Sequence, residues 1–176
     1  MEFVLRKATP EDAVTVSRLF RKSFTATFRH LYPPAELEAF LADQPPEHFA
    51  RCAEAADHLL LLGETAAGDA LGYGLLGPYA DLSPHLPEEL GGRRWWAMRQ
   101  LYLLEAAKGT GLADALMHGS VEESRRRGFQ DLLLTVWIDN RRARRFYERH
   151  GFREVGSYPF VVGSTTDDDR ILRLVL

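Results

Sequence analysis

Apolar side chains recur along this chain with two periods, near 3.6 and near 2, and the switches between them mark out the elements. Phe3 to Arg6 predicts a first strand. Thr9-Pro10-Glu11-Asp12 follows, where Thr9 suits a helix cap and Pro10 the first turn. Ala13, Val16, Phe20 and Phe24 then step by three and four, the buried stripe of an amphipathic helix. Leu37, Phe40 and Leu41 repeat the pattern in a shorter helix, and Phe49 with Ala53 does so in a third beyond Pro45-Pro46. His58 to Glu64 and Ala70 to Leu76 flank a glycine-containing turn and predict an antiparallel hairpin. Trp95 to Leu104 predicts a strand, and Gly111 to Arg127 a helix that Gly128 ends. Leu132 to Trp137 predicts a strand, Asn140 to His150 a helix, and Val155 to Val162 and Arg170 to Leu176 two last strands. This order predicts an α/β (α+β) chain, a mixed sheet with helices on both faces.

Composition narrows the class. With 176 residues, 45% of them hydrophobic, one domain over residues 1–176 is expected. The strongly apolar run Leu59 to Leu62 is far short of the about 20 residues a membrane helix needs, so no membrane partner is expected. The opening Met-Glu-Phe-Val-Leu-Arg-Lys lacks the pattern of a secretory signal, and the lone Cys52 can build neither a disulfide framework nor a structural zinc site. A cytoplasmic protein without a metal is therefore expected. A net charge of −3 disfavours a nucleic-acid partner that relies on attraction to phosphate. The segment Gly77 to Gly92, rich in proline, glycine and acid, predicts a long loop placed to help form a substrate pocket. Trp95, Trp96 and Trp137 are expected in a core or an interface, and an outward Trp95 or Trp96 would favour a homodimer.

Candidate chemistry begins at Lys108-Gly109-Thr110-Gly111-Leu112-Ala113, between a predicted strand and a predicted helix. Glycines admit close backbone approach, and free amides at a helix N-terminus suit phosphate groups such as a pyrophosphate. Two glycines also make an ordinary turn. A nucleotide P-loop is excluded, because no stretch has four residues between glycines followed by Lys-Ser/Thr. A dinucleotide fingerprint needs a small residue where Asp114 stands, and although Asp131 lies near the distance of a ribose carboxylate, too little chain follows.

A second segment runs from Asn140 to Phe152. Ala143, Phe146 and Tyr147 share a helix face, with the arginines at 141, 142, 144 and 145 directed away from it. Taken singly, Asn140 reads as a helix cap and Tyr147 as a core aromatic with a partly wet hydroxyl.

Together the two segments resemble the GCN5-related N-acetyltransferase (GNAT) family. Its signature joins an [Arg/Gln]-x-x-Gly-x-[Gly/Ala] loop to Asn-x-x-Ala-x-x-Phe-Tyr-x-x-x-Gly-Phe. Lys108, Gly111 and Ala113 fit the first, with Lys in place of Arg or Gln, and Asn140, Ala143, Phe146, Tyr147, Gly151 and Phe152 the second. Leu101-Tyr102-Leu103 is similar to the family's Leu-Tyr-Val strand, and Arg6 to Ala13 to its usual opening.

The resemblance implies a mixed, mostly antiparallel central sheet of about six to seven strands, and acetyl-CoA as cofactor. It implies that the amides of Lys108, Gly109, Thr110, Gly111, Leu112 and Ala113 take the pyrophosphate, while Leu101, Tyr102 and Leu103 pair with the pantetheine arm. Asn140 and Ala143 complete the cofactor site, and Tyr147 also serves as the acid that protonates the departing sulfur. The acceptor, a primary amine, attacks directly, and a strand amide near Leu103 would stabilise the oxyanion. An alkyl amine of pKa near 10.4 is mostly protonated at pH 7, so a deprotonation route is needed. Many relatives carry Glu where this chain has Ala97, which leaves Glu105, Tyr102 or a water chain as candidates, with His118 expected on a helix surface.

Phe24 to Phe28, Leu37 to Leu41, Val155 to Gly163 and Asp167-Asp168-Asp169 resemble PaiA-type polyamine acetyltransferases. That implies spermidine or spermine, drawn by carboxylates such as Glu36, Glu38, Asp43, Asp81, Glu88 and Glu89. Protein N-termini, lysines and other small amines remain alternatives, as does a CoA-binding sensor without catalysis.

Overall fold

The computed structural model describes residues 2–176. The chain runs β1 (Val4–Lys7), α1 (Ala13–Phe28), α2 (Pro34–Ala42), α3 (Pro46–Glu54), β2 (Leu59–Glu64), β3 (Ala70–Gly77), β4 (Trp95–Leu103), α4 (Leu112–Arg126), β5 (Asp131–Trp137), α5 (Arg141–Arg149), β6 (Arg153–Val162) and β7 (Thr165–Val175). Seven strands form one sheet in the order β1-β2-β3-β4-β5-β7-β6. Every neighbouring pair is antiparallel except β4 and β5.

The leucine run of β2 explains itself in this setting. Leu60 and Leu62 pack with Val16, Phe20 and Phe49 of α1 and α3, whereas Leu59 and Leu61 pack with Leu116 and Met117 of α4. Alternate residues of one strand thus enter two cores on opposite faces, which turns a period of two into a continuous apolar run.

The sheet is irregular at its centre. The parallel pairing of β4 with β5 lasts only from Trp95↔Asp131 to Ala97↔Leu133, after which the register ends. On its other edge β4 stays paired with β3 through Leu103, with a bulge that leaves Arg99 without a partner between Met98 and Gln100. Beyond Ala97 the sheet is therefore open between β4 and β5.

Several expectations need correction. Thr9 precedes a short 3-10 turn, Pro10–Asp12, and the cap works in reverse: the Asp12 carboxylate accepts the Thr9 backbone N–H at 2.8 Å. β7 begins at Thr165, five residues before the expected start, so the aspartates at 167 to 169 lie in the sheet. The loop from Gly77 to Gly92 carries 3-10 turns at Ala80–His85 and Glu88–Leu90, whose Leu82 and Leu90 are buried with Leu133 and Ile171. Trp96 is buried and donates to the Asp57 carbonyl, and Trp95 packs on that same small core, so neither offers an outward ring to a second copy. Asp131, far from any ribose-binding role, is fully buried between Arg93 and Arg173 at 2.5 and 2.7 Å. Among the described residues no helix is long and apolar enough to cross a membrane.

Candidate active site

The turn between β4 and α4 carries the phosphate-site geometry. Gly109 and Gly111 hold φ of +79° and +89°, a region that favours glycine, and Gly111 is the N-cap of α4. The Gly111 carbonyl accepts the Ala115 amide, so the amides that precede it in the first turn have no helical partner and face the groove. Thr110 donates its hydroxyl to the Ala107 carbonyl at 2.7 Å, which holds the turn closed. Leu112 turns its side chain into the core and brings only backbone to the turn. Lys108 is paired with Glu105 at 2.5 Å.

Alongside lies the open edge of β4. The Leu104 amide donates to Leu71 of β3, so strand alternation turns the amides and carbonyls of Leu101 and Leu103 the other way, toward the gap. Ser23 of α1 donates to that Leu103 carbonyl at 3.2 Å.

α5 closes the third side. Asn140 accepts the Ala143 amide at 3.2 Å, which is the capping role. Tyr147 is buried, and burial raises its hydroxyl well above the ordinary tyrosine value, so it is a donor throughout the working pH range. The arginines do not all point away: Arg142 and Arg149 line the groove, and Arg144 reaches the Ile138 carbonyl and Glu154. Arg126 and Arg127 both bind Glu123 at the end of α4.

These walls enclose a groove of about 420 Å³. It brings together Leu101, Tyr102, Leu103, Lys108, Gly109, Gly111, Ala113, Asn140, Ala143 and Tyr147, leaving out of the expected set only the side chains of Thr110 and Leu112. Ser23, Thr27 and Phe28 of α1 also line it, although the helical period of that segment marks only its buried stripe.

A second cavity of about 150 Å³ adjoins the first at the gap and shares Phe28, Leu101, Tyr102, Asn140, Ala143 and Tyr147 with it. Its own walls are aromatic, with Tyr32, Tyr79, Trp137 and Phe160, and its polar groups are Arg99, Asp167 and Asp169. Tyr32 donates to Asp167. Asp169 is buried, and burial pushes its carboxyl up to about 7, against the nearby Thr135 hydroxyl, which pulls it down.

Of the expected bases, Tyr102 lines both cavities, but burial raises its hydroxyl well above the ordinary tyrosine value, while Glu105 is exposed and held below its ordinary value by Lys108. Ala97 is buried and carries no chemistry, and His118 is exposed on α4 as expected. The expected acids do not collect here. Glu36 accepts from the Ser164 backbone and hydroxyl, Glu38 pairs with Arg21, and Asp43, Asp81, Glu88 and Glu89 are exposed elsewhere. A last strand beginning at Arg170 leaves Asp169 outside the sheet and gives it no role; an acid two positions before the inward Ile171 is the available signal.

Comparison with known proteins fits this architecture. A family model described as Acetyltransferase (GNAT) family matches residues 16–152. An uncharacterized N-acetyltransferase of Mycobacterium tuberculosis is 36% identical over 75 residues, 43% of this chain and 48% of the relative. An acetyltransferase of Agrobacterium fabrum is 39% identical over 67 residues, 37% of this chain and 46% of the relative. The chain thus spans about half the length of the curated relatives it matches. Among solved structures, the PaiA N-acetyltransferase of Thermoplasma acidophilum in complex with coenzyme A superposes with a TM-score of 0.77 at 20% identity over 100% of both chains. Arabidopsis thaliana NAA60 in complex with a bisubstrate analogue gives 0.73 at 17% identity over 99% of both. At such identities the likeness is one of fold.

Proposed function

This chain belongs to the acetyltransferase (GNAT) family, and from that premise we propose that it transfers an acetyl group from acetyl-CoA to a primary amine within a ternary complex. The observation that carries the reading is the junction of two cavities across the gap between β4 and β5, with Tyr102 and Tyr147 in the wall of both. A donor in one cavity and an acceptor in the other would meet there, which is what direct transfer needs.

The residues present suit coenzyme A. Free amides at the start of α4, with Gly111 in the left-handed region, fit a pyrophosphate, and Arg142 and Arg149 add positive charge to the same groove. The unpaired edge of β4 at Leu101 and Leu103 offers strand-like hydrogen bonds to a pantetheine amide. Acetyl-CoA would supply an activated thioester. A Leu101 or Leu103 amide would then stabilise the developing oxyanion, and Tyr147 would hand its proton to the departing sulfur.

For the acceptor we favour an alkyl polyamine such as spermidine. The narrow aromatic walls and the carboxylates of Asp167 and Asp169 suit a slender cation. A second reading rests on Arg99, an exposed guanidinium at the same cavity, 5.2 Å from the Tyr79 ring. It favours an amine that also bears a carboxylate.

Release of CoA thiol from acetyl-CoA, with spermidine, spermine, single amino acids and a short peptide as separate acceptors, tests both. Turnover with spermidine that survives Arg99→Ala supports the first; preference for an amino acid that Arg99→Ala abolishes supports the second. Binding of acetyl-CoA with no turnover on any acceptor would leave a CoA sensor as the better reading.

A further inference from the structure

Resting on the acetyl-transfer reading, we propose that Asp169 is the general base of this protein, taking the proton from the acceptor ammonium at the floor of the smaller cavity. β7 pairs Asp169 with Trp137 of β5, and strand alternation puts its side chain on the face of Ile171, the face on which the aromatic cavity opens. Its exposure is 6%, yet it lines that cavity together with Tyr102 and Tyr147. The two residues that the transfer reading places at the reacting centre therefore share a wall with two carboxylates, Asp167 and Asp169, of which Asp167 already accepts from Tyr32.

What holds Asp169 distinguishes it from the chain's other buried acid. Asp131 is locked between two arginines, each of its oxygens engaged by a guanidinium that holds it ionised. Arg170, the cation next to Asp169 in sequence, instead pairs with Asp168 and Glu154. Asp169 is left without an ion pair, and the nearby Thr135 hydroxyl favours its ionised form. A carboxylate buried without a cation costs stability, so its presence in the cavity wall points to chemistry.

The charged and titratable surroundings come from every element that borders the cavity. β7 itself contributes Asp167 and Asp168, both of which raise the affinity of Asp169 for a proton. β4 contributes Tyr102 and the exposed Arg99; the loop after β3 gives Tyr79, the segment after α1 gives Tyr32, β6 gives Tyr158, and α5 gives Tyr147. Burial raises Tyr32, Tyr79, Tyr102 and Tyr147 alike, which keeps them protonated. Asp169 differs from these tyrosines in titrating near neutrality, at about 7.

The step balances without a further reactant. The Asp169 carboxylate accepts a proton from the ammonium, the freed nitrogen lone pair forms the C–N bond as the C–S bond breaks, and the nitrogen then sheds its second proton to solvent. The sulfur leaves with the electron pair and takes the Tyr147 proton, and solvent exchange restores both side chains. The sum is one amide, one thiol and one proton released.

The test compares wild type with Asp169→Asn and Thr135→Val, using the amine accepted in the thiol-release panel and 2,2,2-trifluoroethylamine, which is neutral at pH 7 and needs no base. Asp169→Asn should lower kcat/KM for the alkyl amine by roughly 10²-fold or more, shift the acid limb of its pH profile up toward the amine's own pKa, and leave acetyl-CoA affinity and the trifluoroethylamine rate within about twofold. Thr135→Val keeps the carboxylate but removes the neighbouring hydroxyl that favours its ionised form, so the acid limb should move up by roughly one unit. Equal losses with both amines, or an acid limb that stays in place in Asp169→Asn, overturns the proposal. Should that variant not fold, an unmoved limb in Thr135→Val overturns it instead. Wild-type protein that binds acetyl-CoA but acetylates no amine overturns the transfer reading itself, and the base with it.

Discussion

The side-chain oxygen of Asn140 accepts the backbone N–H of Ala143 at 3.2 Å, so the residue that opens α5 is bonded to its own helix. Asn140→Ala should then destabilise the protein by about 1 kcal/mol, the usual cost of a lost N-cap, whereas Asn140→Asp should keep the cap and most of that stability. Urea denaturation of both variants measures this, and acetyl-CoA titration separates it from the cofactor role. If Asn140→Asp retains stability but loses affinity, the amide group contacts the cofactor as well; if both affinities follow stability, capping is its whole contribution.

Tyr147 lies in the wall shared by the two cavities, buried and protonated well beyond the ordinary tyrosine range. Tyr147→Phe preserves the ring that packs 5.7 Å from Phe152 and removes only the donor. Turnover should drop roughly 10²-fold or more with little change in acetyl-CoA affinity. A parallel loss of affinity and turnover would assign the hydroxyl to binding and leave the sulfur to be protonated by water.

The elements and both motifs are legible in the sequence because each rests on local periodicity. The gap between β4 and β5 is not, since it depends on where a parallel pairing stops, a contact between segments separated by the whole of α4. Leu112 shows the limit of a motif: it does stand in the loop, but its side chain completes the core against which α4 packs. The acceptor side is the least legible. Asp169, Tyr32 and Arg99 come from a strand, a helix end and a bulge, and no spacing in one segment connects them.

Gly111 combines a φ of +89° with open space where a Cβ would point. Gly111→Val would therefore place its Cβ without a clash in the free protein, and the left-handed conformation should cost folding at least roughly 1–2 kcal/mol. Cofactor affinity should fall much further, because the branched side chain would occupy the space before the α4 amides. Calorimetric titration with CoA alongside thermal melting checks this, and a variant that melts lower but binds CoA as tightly as wild type would remove the pyrophosphate from this turn.

Asp131 links β5 to β7 and to the segment before β4 through Arg173 and Arg93, with no exposure to solvent. Asp131→Asn would leave two guanidinium groups facing a neutral amide in a buried setting. A loss on the order of 3–5 kcal/mol is expected, as for other broken buried ion pairs. Cofactor affinity measured on the remaining folded protein should be unchanged, since the triad lies at the paired end of β4 and β5, away from the open one. Selective loss of CoA binding in a fully stable variant would contradict that separation.

Asp169 gives the opposite sign. Its carboxyl titrates at about 7 in the folded chain and near the ordinary aspartate value of 3.8 when unfolded, so between those values the folded state holds the extra proton. Stability from this group is thus present at acid pH and is lost as pH rises through the window from about 4 to about 7. Asn at 169 cannot ionise and escapes the loss. Asp169→Asn should accordingly match wild type near pH 4 and exceed it at pH 8 by an amount on the order of a few kcal/mol, even as turnover falls. Urea denaturation of the two proteins at both pH values decides the matter. A variant less stable than wild type at pH 8 would mean that the fold stabilises the carboxylate, and an anion held in that way would be a poor acceptor for the proton of an ammonium.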